Sequence, residues 1–299
     1  HFFQERSMKY TFIKNHEYLF PIEKMCQVLE VGSSGYFKWK NKPISNRILR
    51  KNEIKEQITS IYFTSKQRYG SPRITIELNA LGYRISRITV AKYMKELGLR
   101  SKLSKKFKVT TDSKHNYLVV ENVLDRGFAV DHPSKVWVSD ITYIQTKEGF
   151  LYLTTIIDLY ARKMIGWSLS NGMNTEETTL VAWKMATRNR SVQKGLIFHS
   201  DRGVQYANKK FANTIESYEV IRSMSRKGNC WDNAVAESFF KSLKTELIYG
   251  NKLITKQQME LEIFEYIEIW YNKKRRHSAL NYKTIEEFNN QNNIYKNVA

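Results

Sequence analysis

Apolar residues recur at helical intervals in the first hundred residues and gather in β-branched and aromatic runs further along the chain. Residues 21–40 predict a short amphipathic helix and a Gly-Ser turn, and an isoleucine stripe predicts a second helix over 46–64. From residue 135, the runs KVWVSDITYI, FLYLTTIIDLY and RKMIGWSLS are typical of strands, because such side chains pack well on a pleated sheet. The pattern therefore predicts a helical first part and a second part built on a sheet.

The elements after the third run alternate. A helix is predicted over 175–189, a buried strand in GLIFHS, a helix over about 207–218 and a fifth strand in VIRSMS. A long helix over about 231–248 and another over 256–272 follow. Consecutive strands followed by alternating helices and strands indicate an α/β fold, a mixed sheet flanked by helices.

The segment SPRITIELNALGYRISRITVAKYMKELGL predicts two helices joined by a tight turn. Pro72 suits a first helical turn, Gly82 ends that helix, and Ser86 is the expected N-cap of the second. The side chains predicted to face inward are Ile74, Leu78, Leu81, Ile88, Ala91 and Met94. This is the pattern of a DNA-binding helix-turn-helix, with an ordinary helical hairpin as the alternative.

Basic residues favour DNA binding by this segment. The run RSKLSKKFK follows the second helix, and a KKRRHS cluster ends the helix predicted over 256–272. The predicted DNA-contacting side chains are Arg87, Lys92, Lys95, Arg100, Lys102, Lys105, Lys106, Arg275 and Arg276.

The net charge of +20 is unevenly distributed. Residues 1–120 contain 24 Lys and Arg against 9 Asp and Glu, which gives +15, and the remainder carries +5. A basic first part suits neutralisation of phosphates. The alternative, a solubilising surface, does not require this bias.

Other classes of protein are disfavoured. The two cysteines, Cys26 and Cys230, lack CxxC spacing, which argues for a reducing cytoplasm and against disulfides or a cysteine zinc site. There is no apolar run of about 18–20 residues for a membrane span and no signal peptide. No GxSxG elbow or phosphate-binding loop is present, so the expected chemistry needs no ATP. No zinc is expected either, because of the cysteine pattern. Because the sequence begins with His1, either Met8 is an internal start or the chain is a piece of a longer product.

Three acidic residues stand in informative settings. Asp140 interrupts the first apolar strand, Asp201 follows the strand GLIFHS, and Glu237 lies on the amphipathic helix 231–248, with 35 residues between the second and third acids. Converging carboxylates repel one another unless cations neutralise them, and hard Mg²⁺ or Mn²⁺ ions suit oxygen ligands. Two such ions could activate a water or a 3′-hydroxyl and stabilise the leaving oxygen of a phosphodiester. The alternatives are a strand-end residue, a turn former and a solvated helix residue.

Several long motifs resemble those of DDE transposases of the retroviral-integrase superfamily, and more narrowly the OrfB-type transposases of the third group of bacterial insertion sequences. They are VWVSDITYI, IIDLYARKMIGWSLS, HSDRGVQY, SRKGNCWDNAVAESFFKSLKTE and WYNKKRRHSALNY. The resemblance implies an RNase H-like core with helices on both faces of its sheet, preceded by an all-α helix-turn-helix region. It implies that Asp140, Asp201 and Glu237 bind two Mg²⁺ or Mn²⁺ ions.

The resemblance also implies roles for residues near the triad. Lys244 matches a position linked to terminal DNA, while Trp231, Asp232 and Asn233 match a motif that shapes the site. Asp158 also matches a family position, for which we expect a structural role at a strand end. Two features depart from relatives: no His-Cys zinc module is present, and Ile285 stands where many have proline.

We expect five regions: an N-terminal helical, DNA-binding-like segment (1–46), a helix-turn-helix domain (47–110), a basic linker (111–128), the catalytic core (129–250) and a C-terminal helical extension (251–299). The expected function is metal-dependent cleavage at insertion-sequence ends and strand transfer in a bacterial cytoplasm, associated with the nucleoid. The partners are terminal inverted repeats, target DNA, at least a second copy on DNA, and an upstream OrfA-type protein, fused or separate. The alternatives are an RNase H-like nuclease without strand transfer and a catalytically inactive DNA-binding repressor.

Overall fold

A computed structural model describes residues 5–41, 43, 45–102 and 119–297, so Lys105 and Lys106 lie outside the described residues. The chain divides into two compact units, His1–Ile61 and Tyr62–Ala299. Within the described residues, no helix has the length and apolar character needed to cross a membrane.

The first unit is helical. It contains α1 (Arg6–His16), α2 (Ile22–Val28) and α3 (Ser33–Lys40), and α4 (Asn46–Thr64) has the predicted bounds. The segment 33–40, for which the pattern predicts no regular element, is therefore a helix. The small core of this unit consists of Ile13, Met25, Cys26 and Tyr36.

The second unit begins with the two helices predicted to form a helix-turn-helix, α5 (Ser71–Ala80) and α6 (Arg87–Glu96). The Ser86 hydroxyl accepts a hydrogen bond from the Thr89 amide, so the predicted N-cap is confirmed. The buried side chains of α5 and α6 differ in part from those predicted to face inward. Ile74, Leu78, Val90 and Met94 are buried, whereas Leu81, Ile88 and Ala91 are exposed.

The sheet contains the five predicted strands: β1 (Val136–Thr146), β2 (Gly149–Asp158), β3 (Lys163–Ser170), β4 (Ile197–Ser200) and β5 (Ile221–Met224). Their order is β3-β2-β1-β4-β5. The first three strands are antiparallel, while β4 pairs in parallel with both β1 and β5. The mixed sheet predicted from the alternation of elements is confirmed.

Helices α7 (Thr179–Asn189), α8 (Val204–Ala207) and α9 (Lys209–Glu216) cover the main core. Trp183 of α7 packs against Trp137 of β1 and Phe198 of β4, with ring centroids 5.5 and 5.6 Å apart. Close packing of α7 on β3 requires Gly166, because a Cβ there would lie 2.4 Å from the carbonyl oxygen of Ala182.

The remaining helices have irregular ends. A 3₁₀ turn (Cys230–Asn233) leads into α10 (Ala234–Leu243), which continues as a π-helical turn over Lys244–Ile248. Helix α11 (Lys256–Phe264) likewise continues as a π-helix, Glu265–Lys274, and the chain ends with α12 (Ile285–Asn297), which the pattern does not predict. The two long helices predicted from periodicity are thus real, but each changes its winding.

The described part of the predicted linker packs against the sheet. Val119 and Val120 contact the main core, and Leu124 is buried. The Leu124 amide donates to the Ser223 hydroxyl (3.1 Å), and the Met224 amide donates to the Glu121 carbonyl (3.2 Å). Residues 119–124 therefore lie along β5 rather than crossing solvent as a free linker.

Candidate active site

The parallel pairing of β1 with β4 brings two of the predicted acids side by side. Val138 of β1 is the register partner of His199 of β4. Asp140 and Asp201 each follow this pair by two residues, and Asp201 comes directly after the end of β4. The charge of Asp201 raises the pKa of Asp140, so the two carboxylates lie within electrostatic range of each other.

Helix α10 brings the third acid to the same strand. Asn233, its N-cap residue, donates from Nδ2 to the carbonyl oxygen of Ser139, at 2.9 Å. Glu237 lies four residues later, on the same helix face as Asn233. This hydrogen bond fixes the start of the helix directly beside Asp140.

Lys244 completes the group. Its Nζ lies 5.1 Å from the ring centroid of Tyr143, three residues after Asp140 on β1. Burial lowers the pKa of Lys244, and the charge of Asp140 partly offsets that effect. The lysine therefore lies within electrostatic range of the acids, at the point where α10 changes to π winding.

The acids influence one another. Burial raises the pKa of Asp140 well above its usual range, and the charges of Asp201 and Glu237 raise it further. A hydrogen bond from the Ile141 amide (2.8 Å) and the charge of Lys244 act in the opposite direction. Burial also raises the pKa of Glu237. Asp140 thus lies within electrostatic range of both other predicted acids.

The cluster fits divalent cations by its chemistry. Over residues 5–41, 43, 45–102 and 119–297, no three His, Cys, Asp or Glu side chains already stand close enough to hold a metal ion. The donor set nevertheless consists of carboxylates, the ligands that Mg²⁺ and Mn²⁺ prefer. The raised pKa of Asp140 reflects burial and repulsion that a bound cation would relieve.

Tyr206 is a neighbour of the site for which the sequence predicts no role. Its hydroxyl lies 2.7 Å from the Ser139 hydroxyl and is fully buried. Burial raises the pKa of Tyr206 well above its usual value, and the charges of Asp140 and Asp201 add to the rise. Tyr206 belongs to the motif HSDRGVQY, in which the family resemblance implies a role for the aspartate alone.

The loop before α10 is held by the buried carboxylate of Asp232 and two half-exposed arginines, ion pairs that sequence reasoning also misses. Asp232 accepts from Arg226 Nε and Nη2, both at 2.8 Å, and from Arg126 Nε at 2.9 Å. The hydrogen bonds from Arg226 hold the pKa of Asp232 well below its usual range. Asp232 and Asn233 thus position the start of the helix, whereas Trp231 is 69% exposed.

Two further buried polar groups stabilise the surrounding strands. His199 contacts the hydroxyls of Ser223 (2.9 Å) and Ser225 (3.1 Å), and burial lowers its pKa to about 4. Asp158 is buried at the end of β2, where it accepts from the amides of Ser134 and Tyr160, both at 3.1 Å. These contacts fit the structural role at a strand end that was expected for Asp158.

The predicted DNA-contacting residues fall into two groups. Arg87, Lys92, Lys95 and Arg100 are exposed on or just after α6. Lys102 is half-buried, and its Nζ donates to the carbonyl oxygen of Glu246 at 3.2 Å. This ammonium group is engaged within the protein, and a DNA contact by Lys102 stays a prediction.

The two arginines of KKRRHS, for which a DNA contact stays a prediction, are both engaged in ion pairs within the protein. Arg275 is buried and donates to both carboxylate oxygens of Glu246, with a shortest distance of 2.7 Å. Arg276 donates to both oxygens of Glu77, at 2.7 and 3.0 Å, and to Glu287. Both side chains serve as internal ion-pair partners.

Family models match three stretches of the chain. An HTH-like domain matches residues 50–107, and an Integrase core domain matches residues 130–230. A second model with the description Integrase core domain matches residues 237–292. Glu237 is the first residue of that last match.

Curated proteins match over nearly the whole length. The chain is 41% identical over 287 residues to "Transposase InsF for insertion sequence IS3A" of Escherichia coli (strain K12), covering 95% of this chain and 99% of the relative. It is also 41% identical over 256 residues to "Insertion element IS600 uncharacterized 31 kDa protein" of Shigella sonnei, covering 86% and 94%.

Solved structures are more distant. The integrase catalytic core domain of HTLV-2 in complex with magnesium, in its trimeric form, is 16% identical with a TM-score of 0.39, covering 52% of this chain and 96% of that chain. The family assignment rests on the sequence relatives and not on this likeness.

Proposed function

The chain belongs to the insertion-sequence transposases that carry an integrase core domain, and we propose that Asp140, Asp201 and Glu237 are its catalytic residues. As a transposase it is an enzyme of the polynucleotidyl transferase type. Hydrolysis of one phosphodiester at an element end frees a 3′-hydroxyl. In strand transfer that hydroxyl oxygen forms a bond to a target phosphorus, and the bond from that phosphorus to its own 3′-oxygen breaks.

The observation that carries this proposal is the electrostatic interaction of Asp140 on β1 with Asp201 after β4 and with Glu237 on α10. Asp140 and Asp201 follow the paired residues of β1 and β4, and the Asn233–Ser139 hydrogen bond holds the start of α10 next to Asp140. The charges of Asp201 and Glu237 both raise the pKa of Asp140. A buried like-charge cluster is costly in a folded protein, so its presence favours a catalytic role.

We propose that Asp140, Asp201 and Glu237 together hold two Mg²⁺ or Mn²⁺ ions. When bound, such ions activate an attacking oxygen and stabilise the charge of a leaving one. The protein contributes the placement of the acids. Asn233 fixes the helix of Glu237, Tyr206 packs behind the two aspartates through Ser139, and Lys244 supplies a positive charge beside a DNA end.

The proposed partners are terminal inverted repeats and target DNA. The exposed side chains of α6 and of the turn after it, Arg87, Lys92, Lys95 and Arg100, are placed to contact phosphates or base edges. Two ends must be paired for transposition, so we propose at least a dimer on DNA. Action with an upstream OrfA-type protein, and association with the bacterial nucleoid, belong to the same proposal.

The triad is tested on DNA that carries the element's own ends. Asp140→Ala, Asp201→Ala and Glu237→Gln should each reduce cleavage and joining by about a hundredfold to a thousandfold or more, since each removes charge stabilisation in the transition state. Glu260→Gln, at an exposed glutamate of α11, is the matched control and should keep full activity. Metal-dependent activity that persists in the triad variants would refute the assignment.

The same assay separates the alternatives. Attachment of labelled 3′ ends to target DNA distinguishes a transposase from a nuclease that only hydrolyses. A repressor would bind the ends and yield no metal-dependent product. Membership of the transposase family favours neither the nuclease that only hydrolyses nor the repressor.

A further inference from the structure

A cavity of about 230 Å³ lies beside the helix that carries Glu237, and the triad does not account for it. We call it the arginine pocket. Its polar wall is formed by Arg73 of α5, Arg162 of the β2–β3 turn, Arg275, Ser238 of α10 and Ser278. The lining contains no Asp or Glu side chain, so positive charge and hydroxyl groups dominate it.

The positive charge of the pocket is only partly neutralised. Arg275 is paired with Glu246. Arg73 lies 3.9 Å from the same carboxylate, and its Nε donates to a backbone carbonyl, that of Arg276. Arg162 donates from Nη2 to the Phe128 carbonyl at 3.0 Å, and no carboxylate shapes its electrostatics. One carboxylate, that of Glu246, thus lies near two of the three guanidinium groups and none acts on the third, which leaves a site suited to an anion.

The buried cations carry a cost that an anion would relieve. Burial lowers the pKa of Arg73 and of Arg162, and the charge of Arg275 lowers that of Arg73 further. His277, which also lines the pocket, is held neutral because burial lowers its pKa to about 3. Guanidinium groups match the tetrahedral oxygens of a phosphate through paired N–H donors, and serine hydroxyls add further donors.

We infer that the arginine pocket binds a backbone phosphate of the element-end DNA close to the cleavage site. This rests on the proposed function, which brings DNA to α10. Ala234, Val235 and Ser238 of the pocket flank Glu237 along that helix, and Arg73 comes from α5, which lies within the HTH-like match. A phosphate held there would contact both the DNA-binding region and the catalytic helix. A free phosphate shares this chemistry, but the net charge of +20 favours the polyanion.

The test pairs protein variants with element-end duplexes in which one phosphate at a time is replaced by a neutral methylphosphonate. For the wild-type chain, one such replacement near the cleavage site should weaken binding about tenfold, the effect of one lost charged contact. In Arg162→Gln, binding should already be weakened, and the same replacement should have no further effect. The dependence of affinity on salt should also fall by about one unit of slope.

Three controls keep the inference falsifiable. Arg188→Gln, an equal charge change on the exposed end of α7, should respond to every methylphosphonate as the wild type does. Arg162→Lys should restore most of the salt slope. If Arg162→Gln does not fold, Ser238→Ala should lose its response at the same phosphate.

The outcomes that overturn the inference differ from those that overturn the proposed function. If each methylphosphonate weakens DNA binding by Arg162→Gln as much as it weakens binding by the wild type, the pocket contacts no DNA phosphate. Inorganic phosphate that raises the melting temperature through Arg162, with no DNA phosphate affected, would assign the pocket to a free anion and overturn the DNA contact. Failure of the triad would appear separately, as cleavage by Asp140→Ala on unmodified DNA.

Discussion

Glu246 shows how burial and charge compete at a single residue. Burial alone would raise the pKa of Glu246, but the charge and hydrogen bonds of Arg275 outweigh it, and the net pKa is lowered. The carboxylate also accepts from the Tyr266 hydroxyl (3.0 Å) and from Trp270 Nε1 (3.1 Å). A buried charge with this many donors stays ionised, so it can fix the π-helical turn that begins at Lys244.

His277 makes stability depend on pH. It is buried, with a pKa lowered from 6.5 to about 3 by burial first and by Arg275 second. The unfolded chain binds a proton below pH 6.5 while the native chain does not, so stability is complete above that pH and falls towards pH 3. Between pH 7 and pH 5 this histidine alone should cost about 2 kcal/mol of unfolding free energy.

The measurement is urea unfolding at pH 7 and at pH 5. His277→Gln should show a smaller difference between the two pH values, by about that same 2 kcal/mol. His132→Gln, at an exposed histidine, should keep the difference seen in the wild type. If the His277 variant and the wild type lose the same stability on acidification, the buried neutral histidine is not the cause.

At the level of elements, the start of α10 depends on one side chain. Asn233 Nδ2 donates to the Ser139 carbonyl, next to Asp140. Without this bond, Glu237 would lose its fixed distance from the aspartates. We expect Asn233→Ala to slow single-turnover cleavage by about tenfold to a hundredfold, because small misplacements of catalytic groups have effects of that size.

Asn189→Ala is the matched control for this prediction. Asn189 Nδ2 donates to the Ile165 carbonyl at 2.8 Å, the same type of bond from the end of α7 to a strand away from the acids. Both variants should lose about 1 kcal/mol of stability, but only Asn233→Ala should lose rate. Equal loss of rate in the two would mean that Asn233 acts through stability alone.

Element positions are largely predictable from the sequence, whereas the directions of side chains are less so. The periodicity predicts all five strands and the bounds of α4, because an apolar pattern reports local winding directly. In α6, however, Ile88 and Val90 are both apolar, and only the packing shows that Val90 is the buried one. The three acids can be selected by motif, but Tyr206 cannot, since its role depends on a bond to Ser139.

At the scale of the whole molecule, the ion pairs of the KKRRHS cluster cannot be predicted from the pattern because the partners of its arginines are distant in sequence. Glu246 lies 29 residues before Arg275, and Glu77 lies 199 residues before Arg276. A basic run without nearby acids is typical of a solvated or DNA-contacting surface. Here it connects the C-terminal segment to α10 through Arg275 and to α5 through Arg276, so it contributes to the fold of the second unit.

This connection makes the stability of α5 depend on Arg276. The Arg276 guanidinium forms a two-point ion pair with Glu77 of α5 and also contacts Glu287 of α12. Arg276→Ala should cost α5 about 2 kcal/mol of local stability and accelerate its amide hydrogen exchange roughly thirtyfold, while β2 keeps its protection. Lys274→Ala, at an exposed neighbouring cation, should leave α5 unchanged. Unchanged exchange of α5 in the Arg276 variant would show that this helix is held by its apolar contacts alone.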